Sequence, residues 1–234
     1  MSESARQHTA NPATRIVLTR SAEDCESWAA SLHEHGFETV SLPCIETENY
    51  RSPALCTALR DALAEADWLV LTSQRGATAL AELLDRPIPE HLRIAVVGTA
   101  TAQRARKLLG RTDLVARVST AAGLATELAE HLKSSQMKIV LALAENAGDV
   151  LMDMLTQAGQ QCQRFDVYRT IPAAARNNRR TLTEIGGQTV FLASPGAVVG
   201  FVNQVDVDDG ARLVSIGPST TAAIERAGLT VHAQ

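Results

Sequence analysis

The chemistry available to this sequence centres on one tyrosine and on four places where an apolar run ends in small hydroxyl or glycine residues. Tyr168 lies in Phe165-Asp166-Val167-Tyr168-Arg169-Thr170-Ile171-Pro172. Val167, Tyr168, Thr170 and Ile171 favour extended structure, and Pro172 pushes the residue before it away from helix. The four run ends are Thr72-Ser73, Gly98-Thr99-Ala100-Thr101, Ser194-Pro195-Gly196 and Gly217-Pro218-Ser219-Thr220. Each precedes a stretch with helical periodicity. A helix start presents free N–H groups and partial positive charge, so it can hold an anion without lysine or arginine. Serine and threonine at such positions are also ordinary N-caps. Because the four occur as two matched pairs, they point to a shared anionic ligand.

The matching comes from an internal repeat. Ile16 to Gly36 spans 20 residues, as does Ile139 to Gly159, and Ile16 to Ile45 spans 29, as does Ile139 to Tyr168. In the second copy a phenol therefore stands where the first has an aliphatic. A second unit repeats as well: 68–73 parallels 189–194, 93–98 parallels 212–217, and Thr99-Ala100-Thr101 parallels Pro218-Ser219-Thr220.

Strands and helices must alternate to position these groups. Short apolar runs at 15–20, 38–42, 67–71, 93–98, 113–118, 138–143, 162–170, 189–194 and 212–217 read as strands, most of them buried on both faces. Between them lie helical stripes, such as Cys25, Trp28, Ala29 and Leu32 ahead of Gly36, and Ala121, Leu124, Ala125, Leu128 and Leu132. Glu23, Asp24 and Glu26 in a first turn suit the helix dipole. Residues 1–14 read as a disordered lead, and 47–54 and 171–188 as linkers. The alternation predicts α/β architecture with parallel sheets, and such sheets bind ligands beyond the carboxyl ends of their strands.

Composition removes several function classes. Aromatics at 3% argue against base-stacking platforms, and a net charge of −4 argues against a polyanion groove, so no nucleic-acid partner is expected. Cys25, Cys44, Cys56 and Cys162 have no paired spacing and read as buried free thiols of a reducing, cytoplasmic setting. His33 and His35 point to different sides of one helix, so no metal site is expected. No signal-like or membrane-spanning run is visible. Dinucleotide, P-loop, nucleophile-elbow and zincin motifs are missing too. Two readings besides an enzyme without cofactor remain: a catalytically silent binding module, and a transferase with a nucleotide donor.

Leu18-Thr19-Arg20, Thr72-Ser73, Val97-Gly98-Thr99-Ala100-Thr101-Ala102, Val167-Tyr168-Arg169-Thr170, Ser194 and Ile216-Gly217-Pro218-Ser219-Thr220 occur in this order across most of the chain. Taken together they resemble the uroporphyrinogen-III synthase family. The resemblance implies two flavodoxin-like domains facing across a cleft and joined by two extended crossovers. The first would be discontinuous, 1–43 with 172–234, and the second would be 46–169. It also implies closure of hydroxymethylbilane, a linear tetrapyrrole polycarboxylate, to uroporphyrinogen III with the last ring inverted. The route would run through an azafulvene and a spiro intermediate, with no cofactor. Tyr168 would assist loss of the substrate's hydroxyl as water. Arg20, Thr72, Ser73, Gly98, Thr99, Thr101, Ser194, Pro195, Gly196, Gly217, Pro218, Ser219 and Thr220 would bind substrate. A monomer is expected. Three positions depart from the family pattern: Ala142-Leu143-Ala144 replaces an Arg-Gly pair, Ala193 a threonine and Ser21 a proline.

Overall fold

In the computed structural model each apolar run named above becomes a strand. The structure describes residues 15–20, 22–84, 86–133 and 135–234. The expected disordered lead, Ser21, and the side chains of Glu23 and Asp24 lie outside the described residues. The chain runs through β1 (Arg15–Leu18), α1 (Ala22–Glu34), β2 (Glu38–Ser41), β3 (Ile45–Asn49), α2 (Pro53–Glu65), β4 (Trp68–Leu71) and α3 (Gln74–Leu83). It continues through β5 (Arg93–Val96), α4 (Thr99–Leu109), β6 (Leu114–Val115), α5 (Ala121–Leu132), β7 (Lys138–Ala144), α6 (Val150–Gln157) and the long β8 (Gln161–Pro172). It ends with β9 (Arg180–Thr181), α7 (Leu182–Ile185), β10 (Thr189–Leu192), α8 (Pro195–Gln204), β11 (Val205–Asp206), β12 (Arg212–Ser215), α9 (Pro218–Arg226) and β13 (Val231–Ala233).

The chain forms two compact units, one of residues 1–46 with 171–234 and one of 47–170. The first holds a sheet in the order β13-β12-β10-β1-β2, all parallel. Its two faces are covered differently. Val17, Val190, Leu192 and Leu213 pack with Ala197, Val198 and Phe201 of α8 and Ile224 of α9. Ile16 and Leu18 turn the other way, onto Cys25, Trp28 and Leu32 of α1.

The second unit holds the order β3-β8-β7-β4-β5-β6. Leu69 and Leu71 meet α2, α3 and α4, while Trp68 and Val70 meet α5 and α6. Burying both faces explains why β4 reads as an unbroken apolar run, each such side chain contributing ~1.5–3 kcal/mol. Gly110 and Gly228, matched in the repeat, close α4 and the turn after α9 at φ +88° and +75°, where a side chain would be strained.

Both linker expectations need correction. Within 47–54, residues up to Asn49 belong to β3, an edge strand on β8, and the Tyr50 N–H donates to the Val167 carbonyl at 3.0 Å. Its polar residues face outward, which hid the strand from a pattern search. Within 171–188, β8 extends to Pro172, β9 pairs with β11, and α7 starts on a Thr181–Glu184 capping box. The thiols are free, but only Cys25 and Cys44 are buried; Cys56 and Cys162 are half-buried. Burial, with Cys25 nearby, pushes the Cys44 thiol up to about 12.

Candidate active site

Parallel strands send all their carboxyl ends to one edge of a sheet, and the predicted residues collect there in each unit. In the second unit that edge carries Thr72-Ser73 after β4, Gly98 to Thr101 after β5, and Tyr168 on β8. In the first it carries Arg20 after β1, Ser194 to Gly196 after β10, and Gly217 to Thr220 after β12.

Tyr168 owes its direction to an irregularity in β8. Leu143 pairs with Asp166, but Ala144 pairs with Tyr168, leaving Val167 as an extra residue. A bulge of this kind re-aims the side chains beyond it. Val167 and Tyr168 consequently both face the cluster containing Phe165, although strict alternation would separate them. Tyr168 is 7% exposed, and its Oη lies 2.9 Å from Ser73 Oγ. Ser73 is the N-cap of α3 and accepts the Gly76 N–H at 2.9 Å. Gly76 packs closely on the cap: a methyl there would crowd Ser73 Oγ at 3.2 Å and the Ala142 carbonyl at 3.3 Å, and would meet Tyr168 Cε1 at an ordinary 3.8 Å.

The four helix starts divide into two kinds. Ser73 and Ser194 are N-caps whose hydroxyls accept the Gly76 and Ala197 amides, so these side chains are engaged by their own helices. Gly98 and Gly217 begin α4 and α9 with no side-chain cap, which leaves first-turn N–H groups of α4 for a ligand; at α9 Pro218 has no N–H and the Thr220 N–H donates to the Gly217 carbonyl at 3.0 Å, so Ser219 offers the first-turn N–H there. Thr99, Pro218 and Ser219 lie at these two starts, where Thr101 and Thr220 are buried. Thr220 Oγ1 has no hydrogen-bond partner among the described residues. Thr72 and Gly196 are half-buried or better covered than Pro195, which is exposed. Arg20 places its guanidinium 5.3 Å over the Trp28 ring, and Trp28 meets Phe191 edge-on at 5.1 Å.

Sequence reasoning missed several neighbours. Arg164 gathers the loop after β7, donating to the carbonyls of Ala144, Glu145 and Ala147 and to the Asp149 and Asp166 carboxylates. A cation inside a strand was its only visible signal. Arg169 pairs with Glu48 at 2.8 Å and lies over Tyr50. Burial, then a hydrogen bond to Glu145, pushes the Tyr50 phenol above its ordinary value. A concavity of about 470 Å³ in the second unit is lined by Leu84, Arg86, Ile88, Leu108 and Arg111 and shares no residue with this site. Among the described residues no His, Cys, Asp or Glu group could hold a metal ion, and no helix is long and apolar enough to cross a membrane.

Comparison with known proteins places this geometry. A family model described as uroporphyrinogen-III synthase HemD matches residues 26–234. The chain is 26% identical over 227 residues to the chloroplastic uroporphyrinogen-III synthase of Oryza sativa subsp. japonica, covering 93% of this chain and 74% of that protein. It is 27% identical over 228 residues to a putative uroporphyrinogen-III synthase of Methanocaldococcus jannaschii, covering 92% and 90%. The crystal structure of uroporphyrinogen-III synthetase from Helicobacter pylori 26695 superposes with a TM-score of 0.60 at 14% identity, covering 94% of this chain and 92% of that one. A mutant uroporphyrinogen III synthase from the extremely thermophilic bacterium Thermus thermophilus gives 0.54 at 16%, with the same coverage. These two share its α/β fold with parallel sheets. With the family model matched over 26–234, the chain belongs to the uroporphyrinogen-III synthase family, the cyclising lyases of porphyrin biosynthesis.

Proposed function

We infer that Tyr168 is the proton donor of this uroporphyrinogen-III synthase, acting on hydroxymethylbilane. The observation that carries the reading is the buried phenol held 2.9 Å from Ser73 Oγ at the carboxyl edge of a parallel sheet. A phenol hydroxyl both donates and accepts hydrogen bonds, so Tyr168 has a proton to offer a leaving oxygen. Tyr168 gives that proton to the hydroxymethyl oxygen as the C–O bond breaks, and the electron pair leaves with water. The pyrrole's electrons fill the vacancy, forming the azafulvene, which a carbon of the last ring attacks. Passage through the spiro intermediate inverts that ring. The proton released when the macrocycle closes restores the phenol, so none is consumed. Help of this kind is typically worth ~10²–10⁴-fold.

The substrate's carboxylates meet the glycine-started helices α4 and α9, together with the Thr101 and Thr220 hydroxyls and Arg20. The uncapped first turn of α4 and the buried Thr220 hydroxyl, unpartnered among the described residues, support this assignment. Such a site suits a protein of net charge −4, because backbone dipoles bind anions without a basic patch.

The finer architecture belongs to the same proposal: two flavodoxin-like domains facing across a cleft, 1–43 with 172–234 and 46–169. Numbered within its unit, the first sheet runs 2-1-3-4-5, the flavodoxin order. A cytoplasmic monomer with no nucleic-acid partner completes the reading. The test is the product isomer. Supplied with hydroxymethylbilane, the chain should yield uroporphyrinogen III faster than spontaneous closure yields the I isomer. Only the I isomer at the spontaneous rate would mean a silent binding module.

A further inference from the structure

We propose that Ser73 is the positioning residue for Tyr168, and that it acts on catalysis through that phenol rather than by binding a substrate carboxylate. The proposal rests on the proton-donor role given to Tyr168 above and deepens it.

A serine hydroxyl has one proton and two lone pairs. Ser73 Oγ already commits one lone pair to the Gly76 N–H, at 2.9 Å. Its 2.9 Å contact with Tyr168 Oη can then run in either direction. If Tyr168 donates, its proton is turned away from the substrate. If Ser73 donates, the Tyr168 proton is free for the leaving hydroxyl, and the Ser73 proton already points at the oxygen that will become negative. Only the second arrangement stabilises the charge that develops during C–O cleavage. Donors fixed in advance on a developing oxyanion are among the larger contributions to catalysis.

The surroundings favour the second direction as the reaction proceeds. Ser73 caps a helix of 10 residues, whose start carries partial positive charge toward the forming phenolate. Gly76 keeps the geometry tight: a methyl there would press on Ser73 Oγ at 3.2 Å and on the Ala142 backbone carbonyl at 3.3 Å. The cap and the bulge in β8 bring Ser73 Oγ and the Tyr168 oxygen together, and Gly76 packs closely against the Ser73 oxygen. A carboxylate ligand would need none of them.

The test is a double-mutant cycle with hydroxymethylbilane turnover, comparing Ser73→Ala, Tyr168→Phe and both together. Ser73→Ala should lower kcat about tenfold to hundredfold, the range of a hydrogen bond to a charged group, with KM little changed. It should cost nothing further when Tyr168 is already phenylalanine. Ser73→Asp guards against a simple loss of the cap, since aspartate caps helices as well as serine. Its carboxylate only accepts, so it should melt normally yet turn over as poorly as Ser73→Ala. Ser73→Thr keeps both the cap and the donor and should recover most of kcat. A raised KM at unchanged kcat, or an equal loss from Ser73→Ala in the Tyr168→Phe background, would overturn the proposal and make Ser73 a direct ligand. If Tyr168→Phe alone left turnover unchanged, the proton-donor reading itself would fall.

Discussion

The two units are built on the same repeated segments, and they differ at the residue proposed to give up a proton. β1, β2, β10, β12 and β13 correspond to β7, β8, β4, β5 and β6, and the two sheets place corresponding strands in the same order. In each, the serine after the central strand caps the next helix. In the first unit Ile45, the repeat partner of Tyr168, comes over the start of α8, and a methyl on Gly196 would lie 4.0 Å from its Cγ2. In the second, Tyr168 comes over the start of α3 and engages Ser73. Opposite the bulky ring the helix has Gly76, and at the matching position near Ile45 it has Ala197. The first unit has an apolar contact where the second has two hydroxyls 2.9 Å apart. The repeat gives two like frames, and one side chain distinguishes them at this position.

The sharpest way to break this comparison is to exchange the chemistry. Tyr168→Phe should lower kcat by ~10²–10⁴-fold with its melting temperature unchanged. Ile45→Tyr in that background should restore nothing, because Ala197 stands in the first unit at the position of Gly76, whose close packing on Ser73 Oγ and the Ala142 carbonyl is then not reproduced. Recovery of turnover in that double variant would show the two frames to be equivalent.

A second difference lies in backbone approach. A methyl on Gly200 would stand 1.8 Å from the Cys44 carbonyl oxygen and 2.8 Å from the Ala173 nitrogen, where the two chain crossings bond to each other. Ala79 holds the matching place in α3. Gly200→Ala should destabilise by about 3 kcal/mol, since backbone must shift to admit the methyl. Ala79→Gly should cost only about 1 kcal/mol. Urea denaturation of the two variants measures both, and equal costs would contradict the asymmetry.

The smallest expected effect distinguishes Thr220 from Thr101. Thr220 Oγ1 is buried with no partner among the described residues, whereas Thr101 is slightly more open. Thr220→Val should raise stability by about 1 kcal/mol by removing an unsatisfied hydroxyl. The same change should raise KM if that hydroxyl meets a carboxylate. Thermal melting and steady-state kinetics on one preparation check the two halves of this expectation. Thr101→Val should leave melting nearly unchanged.

Much of this was legible in the residues alone. The alternation of strands and helices, the repeat, and the positions of Ser73, Gly98, Ser194 and Gly217 at strand ends follow from local periodicity and turn chemistry, which the chain carries in its nearest neighbours. β3 escaped because a polar edge strand is held by hydrogen bonds to β8, and no pattern of its own side chains records them. Arg164 escaped because its acceptors are mostly main-chain carbonyls, which every residue has. Most telling is Tyr168. Its identity and its repeat partner are visible in the sequence, but its direction depends on Val167 slipping out of register with β7. That slip, the 2.9 Å meeting with Ser73 and the close packing of Gly76 on Ser73 Oγ and the Ala142 carbonyl bring together residues as much as 95 positions apart. The chain by itself determined which groups could react and on which kind of strand end they sit. Packing decided which of them meet, because contact between distant segments is set by sheet pairing and excluded volume, and neither is written in local sequence.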